Sequence, residues 1–211
     1  MKTILIPFRR LVVLALFIAG ISAASAASPG FLYALSENEI TGSQIYGYAV
    51  DEPTGTLTAL PGFPVATGGS GVTNFFCNRL VVDQANARLY ALNAGSATVS
   101  AFSINRGTGA IAALPFSPLD YGFGNARTLR VHPSGTPLLV AGRNGDLASF
   151  VVSNASATPA PGSPYGFAGR AFTSAFSQDG RFFYTGGSSG NSFVGASVDA
   201  ATGALASLAG S

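Results

Sequence analysis

Residues 79–118 read RLVVDQANARLYALNAGSATVSAFSINRGTGAIAALPFSP, and the layout of this stretch returns twice further on. Residues 128–164 read TLRVHPSGTPLLVAGRNGDLASFVVSNASATPAPGSP, and residues 174–211 read SAFSQDGRFFYTGGSSGNSFVGASVDAATGALASLAGS. An earlier stretch, 31–64, reads FLYALSENEITGSQIYGYAVDEPTGTLTALPGFP and matches all but the opening segment. Self-similarity at a period of tens of residues marks a solenoid, propeller or array. The units run over about 31–64, 78–118, 126–164 and 170–211.

Tyr33, Tyr90, Leu139 and Tyr184 align as one position. Eight residues before the last three stand the apolar Val82, Val131 and Phe176; four before stand Asn86, Gly135 and Gly180. Asn and Gly tolerate positive φ, so a tight turn is expected at each. An apolar run, such a turn and a second apolar run make a β-hairpin. Thr54–Gly55, Thr108–Gly109 and Thr202–Gly203 form a second anchor, with Asn154–Ala155 in the third unit. Four residues earlier come Val50, Ile104, Phe150 and Val198, each closing a segment that alternates at period two. Such alternation marks a strand with two unlike faces. Tyr46, Tyr48, Phe102 and Phe150 fall on these alternating segments and are expected in a core between units.

Each unit therefore reads as four short strands joined by tight turns, in the second unit over 80–83, 88–93, 98–105 and 110–114. The middle loop tightens to Arg143–Asn144–Gly145 in the third unit and lengthens around Glu37–Glu39 in the first. No segment of the repeat carries a helical apolar stripe. Four antiparallel strands in about 40–50 residues is the blade of an all-β propeller.

VDQANARLYALN, FSQDGRFFYTGG, AFSINRGTGAIAALP and VDAATGALASL resemble the blade of the YVTN/lactonase family, V-D-x-x-G-x-x-L-Y-V-x-N followed by V-x-x-F-x-I-D-x-x-T-G-x-L. The resemblance covers 31–211 and implies a propeller of the 6-phosphogluconolactonase type, which has seven blades. This chain then holds about four, a partial arc. The motif residues are turn formers and core packers, so the resemblance assigns no catalytic residue.

Lys2, Arg9 and Arg10 precede the apolar run 11–21, and an A-x-A site follows at Ala24–Ser25–Ala26. These are the parts of a secretory signal peptide over 1–26, so export to the periplasm or exterior is expected, with no stable membrane span after its removal. Without it the basic residues are eight Arg and no Lys against nine acidic residues. A near-neutral, sparsely charged chain has no electrostatic footprint for nucleic acid. Cys77 is the only cysteine, which excludes an internal disulfide, and it stands among aromatic residues as a buried thiol would. Asn154–Ala155–Ser156 fits the N-glycosylation pattern but occupies the turn slot.

With 1–26 assigned to export, the first unit has no inner strand. Four complete blades then lack one strand. The fourth unit would expose a face built from residues such as Phe183 and Val194. Open edges and faces favour association, so self-association is expected.

Propeller ligands approach the channel mouth through the loops joining one blade to the next, here 62–78, 116–126 and 162–169. These carry Asn74, Asp120, Tyr121 and Tyr165, with Arg79, Arg127 and Arg170 at their ends. A ring of guanidinium groups could hold a carboxylate or phosphate through paired hydrogen bonds. The alternative is Arg capping loop carbonyls, favoured because the three do not share a repeat position. His132, the only histidine, aligns with Asp83 and Ser177 beside the hairpin turn, a structural position away from the mouth. Glu37 and Glu39 could act as a carboxylate pair or line a solvated loop. No His/Cys/carboxylate cluster has metal spacing, and no nucleotide fingerprint occurs, so neither metal nor cofactor is expected. Three functions remain open. One is a non-catalytic module binding a small molecule or protein at the mouth. Another is a lactonase opening a sugar-acid lactone. The last is an inactive fragment.

Overall fold

The computed structural model describes residues 12–17, 30–72, 79–167, 171–186 and 193–210. Four antiparallel sheets follow one another along the chain, and no helix occurs among the described residues. The first blade holds β1 (Val12–Phe17), β2 (Gly30–Ser36), β3 (Gln44–Val50), β4 (Leu57–Ala59) and β5 (Val65–Ala66). The second holds β6 (Leu80–Asp83), β7 (Arg88–Asn93), β8 (Thr98–Ile104), β9 (Ile111–Ala113) and β10 (Leu119–Asp120). The third holds β11 (Ala126–Val131), β12 (Leu138–Gly142), β13 (Asp146–Val152), β14 (Ala157–Pro159) and β15 (Tyr165–Gly166). The fourth holds β16 (Thr173–Phe176), β17 (Phe182–Gly186), β18 (Phe193–Val198) and β19 (Leu205–Ser207). The innermost strands β1, β6, β11 and β16 are successive neighbours, as the wall of a propeller channel requires.

The first unit does not lack its inner strand. Val12–Phe17, inside the expected signal segment, pairs antiparallel with β2 from Val12↔Ser36 to Phe17↔Phe31. A short apolar run suits a strand as well as an export signal, so its composition cannot separate the two.

The outer edge is also more elaborate than one strand. In the first three blades the third strand pairs with the fourth along one half and with a two-residue strand along the other. Between them lie cis peptides at Phe63–Pro64, Ser117–Pro118 and Ser163–Pro164. Proline lacks an N–H, and an edge is where a sheet tolerates that. The expected mouth loops are thereby shortened, because their first residues lie along the blade edge.

Strand alternation builds the core between blades. Tyr33, Leu35 and Ile45 of the first blade meet Leu89, Ala91 and Phe102 of the second. Tyr90, Leu92 and Val99 of the second meet Leu138, Val140 and Phe150 of the third. Leu139, Ala141 and Leu147 of the third meet Phe183 and Ala196 of the fourth. Each large apolar side chain so buried contributes about 1.5–3 kcal/mol.

Three local equivalences change. Val152, not Phe150, matches Ile104: Val152 pairs with Ala157 as Ile104 pairs with Ile111. The third blade's turn is two residues shorter, closed by the Ser153 hydroxyl accepting from Ala155 N and Ser156 N. In the second blade the positive φ falls on Ala87 (53°), one residue after Asn86. The Asp83 carboxylate holds Asn86 by accepting from its backbone N–H and its side-chain amide. The face left uncovered on the fourth blade is not that of Phe183 and Val194, which are 1 % and 5 % exposed. It is the opposite face, because one step along a strand reverses sides.

Candidate functional site

Two kinds of loop meet at one end of the blades, the junctions between blades and the loops between second and third strands. Gly71 N–H donates to Asn38 O, Gly95 N–H to Ser70 O, Arg143 N–H to Asn125 O and Phe167 N–H to Gly145 O. This end is the channel mouth.

Arg79 stands one residue before β6 and is fully buried. Its Nη1 donates to Glu37 Oε1 at 2.5 Å, tying the second blade to the long loop of the first. The Glu37 side chain is 4 % exposed. Burial raises its carboxyl above the ordinary range, against the opposing pull of Arg79. Glu39 is exposed, while Asn38 between them accepts from Ile40 N and Thr41 N. The two glutamates therefore do not form a carboxylate pair.

Arg127 occupies a β-bulge, where the pairing of β11 with β12 slips between Ala126 and Thr128. Bulges re-aim side chains. This one falls where Arg127 stands a residue out of step with Arg79. The Arg127 guanidinium lies 5.5 Å from the Phe172 ring centre. Burial lowers its pKa, and the nearby charges of Arg143 and Arg79 lower it further. Both arginines therefore lie near enough to act on it. Arg143 was not among the sequence candidates. It is exposed on a three-residue loop whose Gly145 takes φ 89°. The short loop itself was visible in the sequence, but its neighbours were not.

Tyr121, 2 % exposed, lies near Arg79. Its ring is 4.9 Å from Phe123, and its buried hydroxyl has no hydrogen-bond partner among the described residues. Burial raises its pKa, with Arg79 acting in the opposite direction. Asp120 is exposed and accepts from Gly122 N. Tyr165 belongs elsewhere. It lies in β15, donates to Pro161 O and accepts from Leu205 N of the fourth blade, so it braces two blades at their outer edge. Asn74 and Arg170, like Cys77, lie outside the described residues.

The far end of the blades is polar too, but its groups are committed. Asp83 and Arg88 form a buried ion pair at 2.7 Å, and Arg88 donates on to Gly135 O of the next blade. His132, 7 % exposed, places Nε2 3.1 Å from Gly180 O, which can only accept, and Nδ1 accepts from Ser134 N. That is a neutral ring bridging blades three and four, away from the mouth as its turn position indicated. Among the described residues no group of three His, Cys, Asp or Glu could hold a metal ion. No helix there is long and apolar enough to cross a membrane.

No protein-family model and no curated protein matches the sequence. Solved structures do match the fold. A candidate 6-phosphogluconolactonase from Bacteroides fragilis superposes with a TM-score of 0.68 at 17% identity, covering 84% of this chain and 52% of its own. The periplasmic gluconolactonase PpgL of Pseudomonas aeruginosa gives 0.63 at 19%, over 84% and 50%. A protein from Lactobacillus plantarum gives 0.61 at 22%, over 83% and 53%. The chain has the lactonase-like propeller fold and spans about half the length of these structures.

Proposed function

We propose that this chain is an exported propeller module that holds a small anionic ligand at its mouth without chemically altering it. One observation carries the reading: Arg143 and Arg79 lie near enough to Arg127 to lower its pKa, and Arg79 also neighbours the buried Tyr121 hydroxyl. Like charges held together are stabilised by an anion, and guanidinium groups bind carboxylates in paired hydrogen bonds. The activities named for two fold neighbours suggest a sugar acid or its lactone. Export is supported by the periplasmic neighbour and by the signal pattern over 1–26, whose removal would take β1 out of the first blade.

Calorimetric titration with gluconate, and with glucose as the neutral control, tests the site. Gluconate should bind, glucose should not, and Arg143→Ala should weaken gluconate by about tenfold, one charge-assisted hydrogen bond. Equal heats from both sugars would sink the reading. A lactonase reading is favoured by Glu37, a carboxyl of raised pKa beside the arginines. Its burial and its bond to Arg79 support positioning over proton transfer. Gluconolactone should accordingly open no faster than in buffer; enzymatic opening abolished by Glu37→Gln would establish the lactonase instead.

A further inference from the structure

Every blade has a leading face, turned to the next blade, and a trailing face, turned to the one before. The leading face is anchored by Tyr33, Tyr90 and Leu139 on second strands and by Ile45, Val99 and Leu147 on third strands, equivalent by strand register. All six are at most 2 % exposed. Their counterparts on the fourth blade are Tyr184 and Phe193, 43 % and 74 % exposed. Phe182 and Leu208 extend this face; Tyr184 and Leu208 both approach Gly195.

The internal interfaces show what such a face receives. At the first, Tyr33 Oη donates to Gly109 O at 2.7 Å, and a Cβ on Gly109 would lie 2.5 Å from Phe31 and 2.7 Å from Leu60. At the third, Ser149 Oγ donates to Gly203 O at 2.7 Å, and a Cβ there would lie 3.0 Å from Ala160. The Thr-Gly turn of one blade thus seats on the leading face of the blade before it. The first blade's own turn, at Gly55, has nothing within 4 Å of a Cβ among the described residues. Tyr48, on the same trailing face, is only partly buried, whereas its counterparts Phe102 and Phe150 are 3 % and 4 % exposed. Among the described residues, one open seat and one unseated turn therefore exist on the same molecule, and they are complementary parts of a single repeated contact.

We infer that a second copy of this chain docks its first blade on the fourth blade of the first. The Thr54–Gly55 turn seats between Phe182 and Leu208, and the Tyr184 hydroxyl donates to Gly55 O. The contact is head-to-tail, so it closes a ring or extends through further copies.

Light scattering on the whole chain across a dilution series tests this with two variants. Phe193→Asp places a charge on the seat at a position already exposed. Gly55→Asn fills the turn, and Asn tolerates its φ of 69°. The native chain should have a mass that is a multiple of one chain. Each variant should fall to a single-chain mass with its β-sheet circular dichroism retained. Mixing the two variants should restore a pair, because one keeps the intact turn and the other the intact seat. A native monomer, an assembly unmoved by both variants, or a mixture that stays monomeric would each overturn the inference.

Discussion

The two ends of the blades carry similar residues and treat them differently. At the hairpin end, Asp83 meets Arg88, Arg88 reaches Gly135 O, and His132 reaches Gly180 O, so each group is satisfied within or across a blade boundary. At the mouth, Arg127 is crowded by two other arginines, and Tyr121 keeps a buried hydroxyl without a partner among the described residues. A buried polar group costs free energy unless it is hydrogen-bonded. The hairpin end has the economy of a structural joint. On the proposed function, a bound anion would offset the cost of the buried Tyr121 hydroxyl at the mouth.

Arg88→Met should break that contrast most severely. It would leave the Asp83 carboxylate buried beside no cation and remove the bond to Gly135 O. Chemical denaturation should show a loss of about 3 kcal/mol or more. A loss under about 1 kcal/mol would mean that the pair is a solvated surface contact.

Two tyrosines at the same repeat position sharpen it next. The Tyr33 hydroxyl, its pKa pushed up to about 12 by burial, donates to Gly109 O. The Tyr90 hydroxyl faces the blade whose turn is two residues shorter and has no partner among the described residues. Tyr33→Phe should cost about 1 kcal/mol and Tyr90→Phe close to nothing. Equal costs would show that the shortened turn is not what leaves Tyr90 without an acceptor.

His132 supplies a smaller, pH-dependent effect. Burial lowers its pKa below the ordinary 6.5, despite its bond to Gly180 O. The unfolded chain then takes up the proton more readily than the folded one. Its contribution is fully present above pH 6.5 and is lost as the pH falls toward the folded-state value. Thermal melts should show stability declining below pH 6.5, and His132→Gln should flatten that part of the profile. An unchanged slope in the variant would assign the decline to other groups.

Arg143→Ala should change stability least, by no more than about 0.5 kcal/mol, because the side chain is exposed. The melting-temperature rise produced by gluconate should nevertheless shrink, since a ligand stabilises only in proportion to its binding. A large stability loss without ligand would make Arg143 a structural residue like Arg88.

Much of the fold was legible in the chain itself. Tyr33, Tyr90 and Tyr184 mark the second strands, Gly55, Gly109 and Gly203 mark the turns with positive φ, and period-two alternation assigns faces. These are local signals, because a strand and its turn are specified by residues a few positions apart. Which copy of a face stays uncovered is a question of parity, and one residue of error moved the expectation from Tyr184 to Phe183. The apolar run at Val12–Phe17 satisfies two local patterns, and only its pairing with β2 makes it a strand here.

The candidate site was legible in residue type but not in assembly. Arg79, Tyr121 and Arg127 stand at junctions that any propeller turns toward its mouth, so sequence could nominate them. It could not bring in Arg143, give Glu37 to Arg79 or send Tyr165 to the outer edge. Those outcomes depend on a bulge at Arg127, on the turn at Gly145 and on two-residue strands that shorten the junction loops. The blades follow from the chain alone, since alternation and turn chemistry act between near neighbours. Which charges meet follows from the stacking of the blades, which brings together groups that are tens of residues apart along the chain.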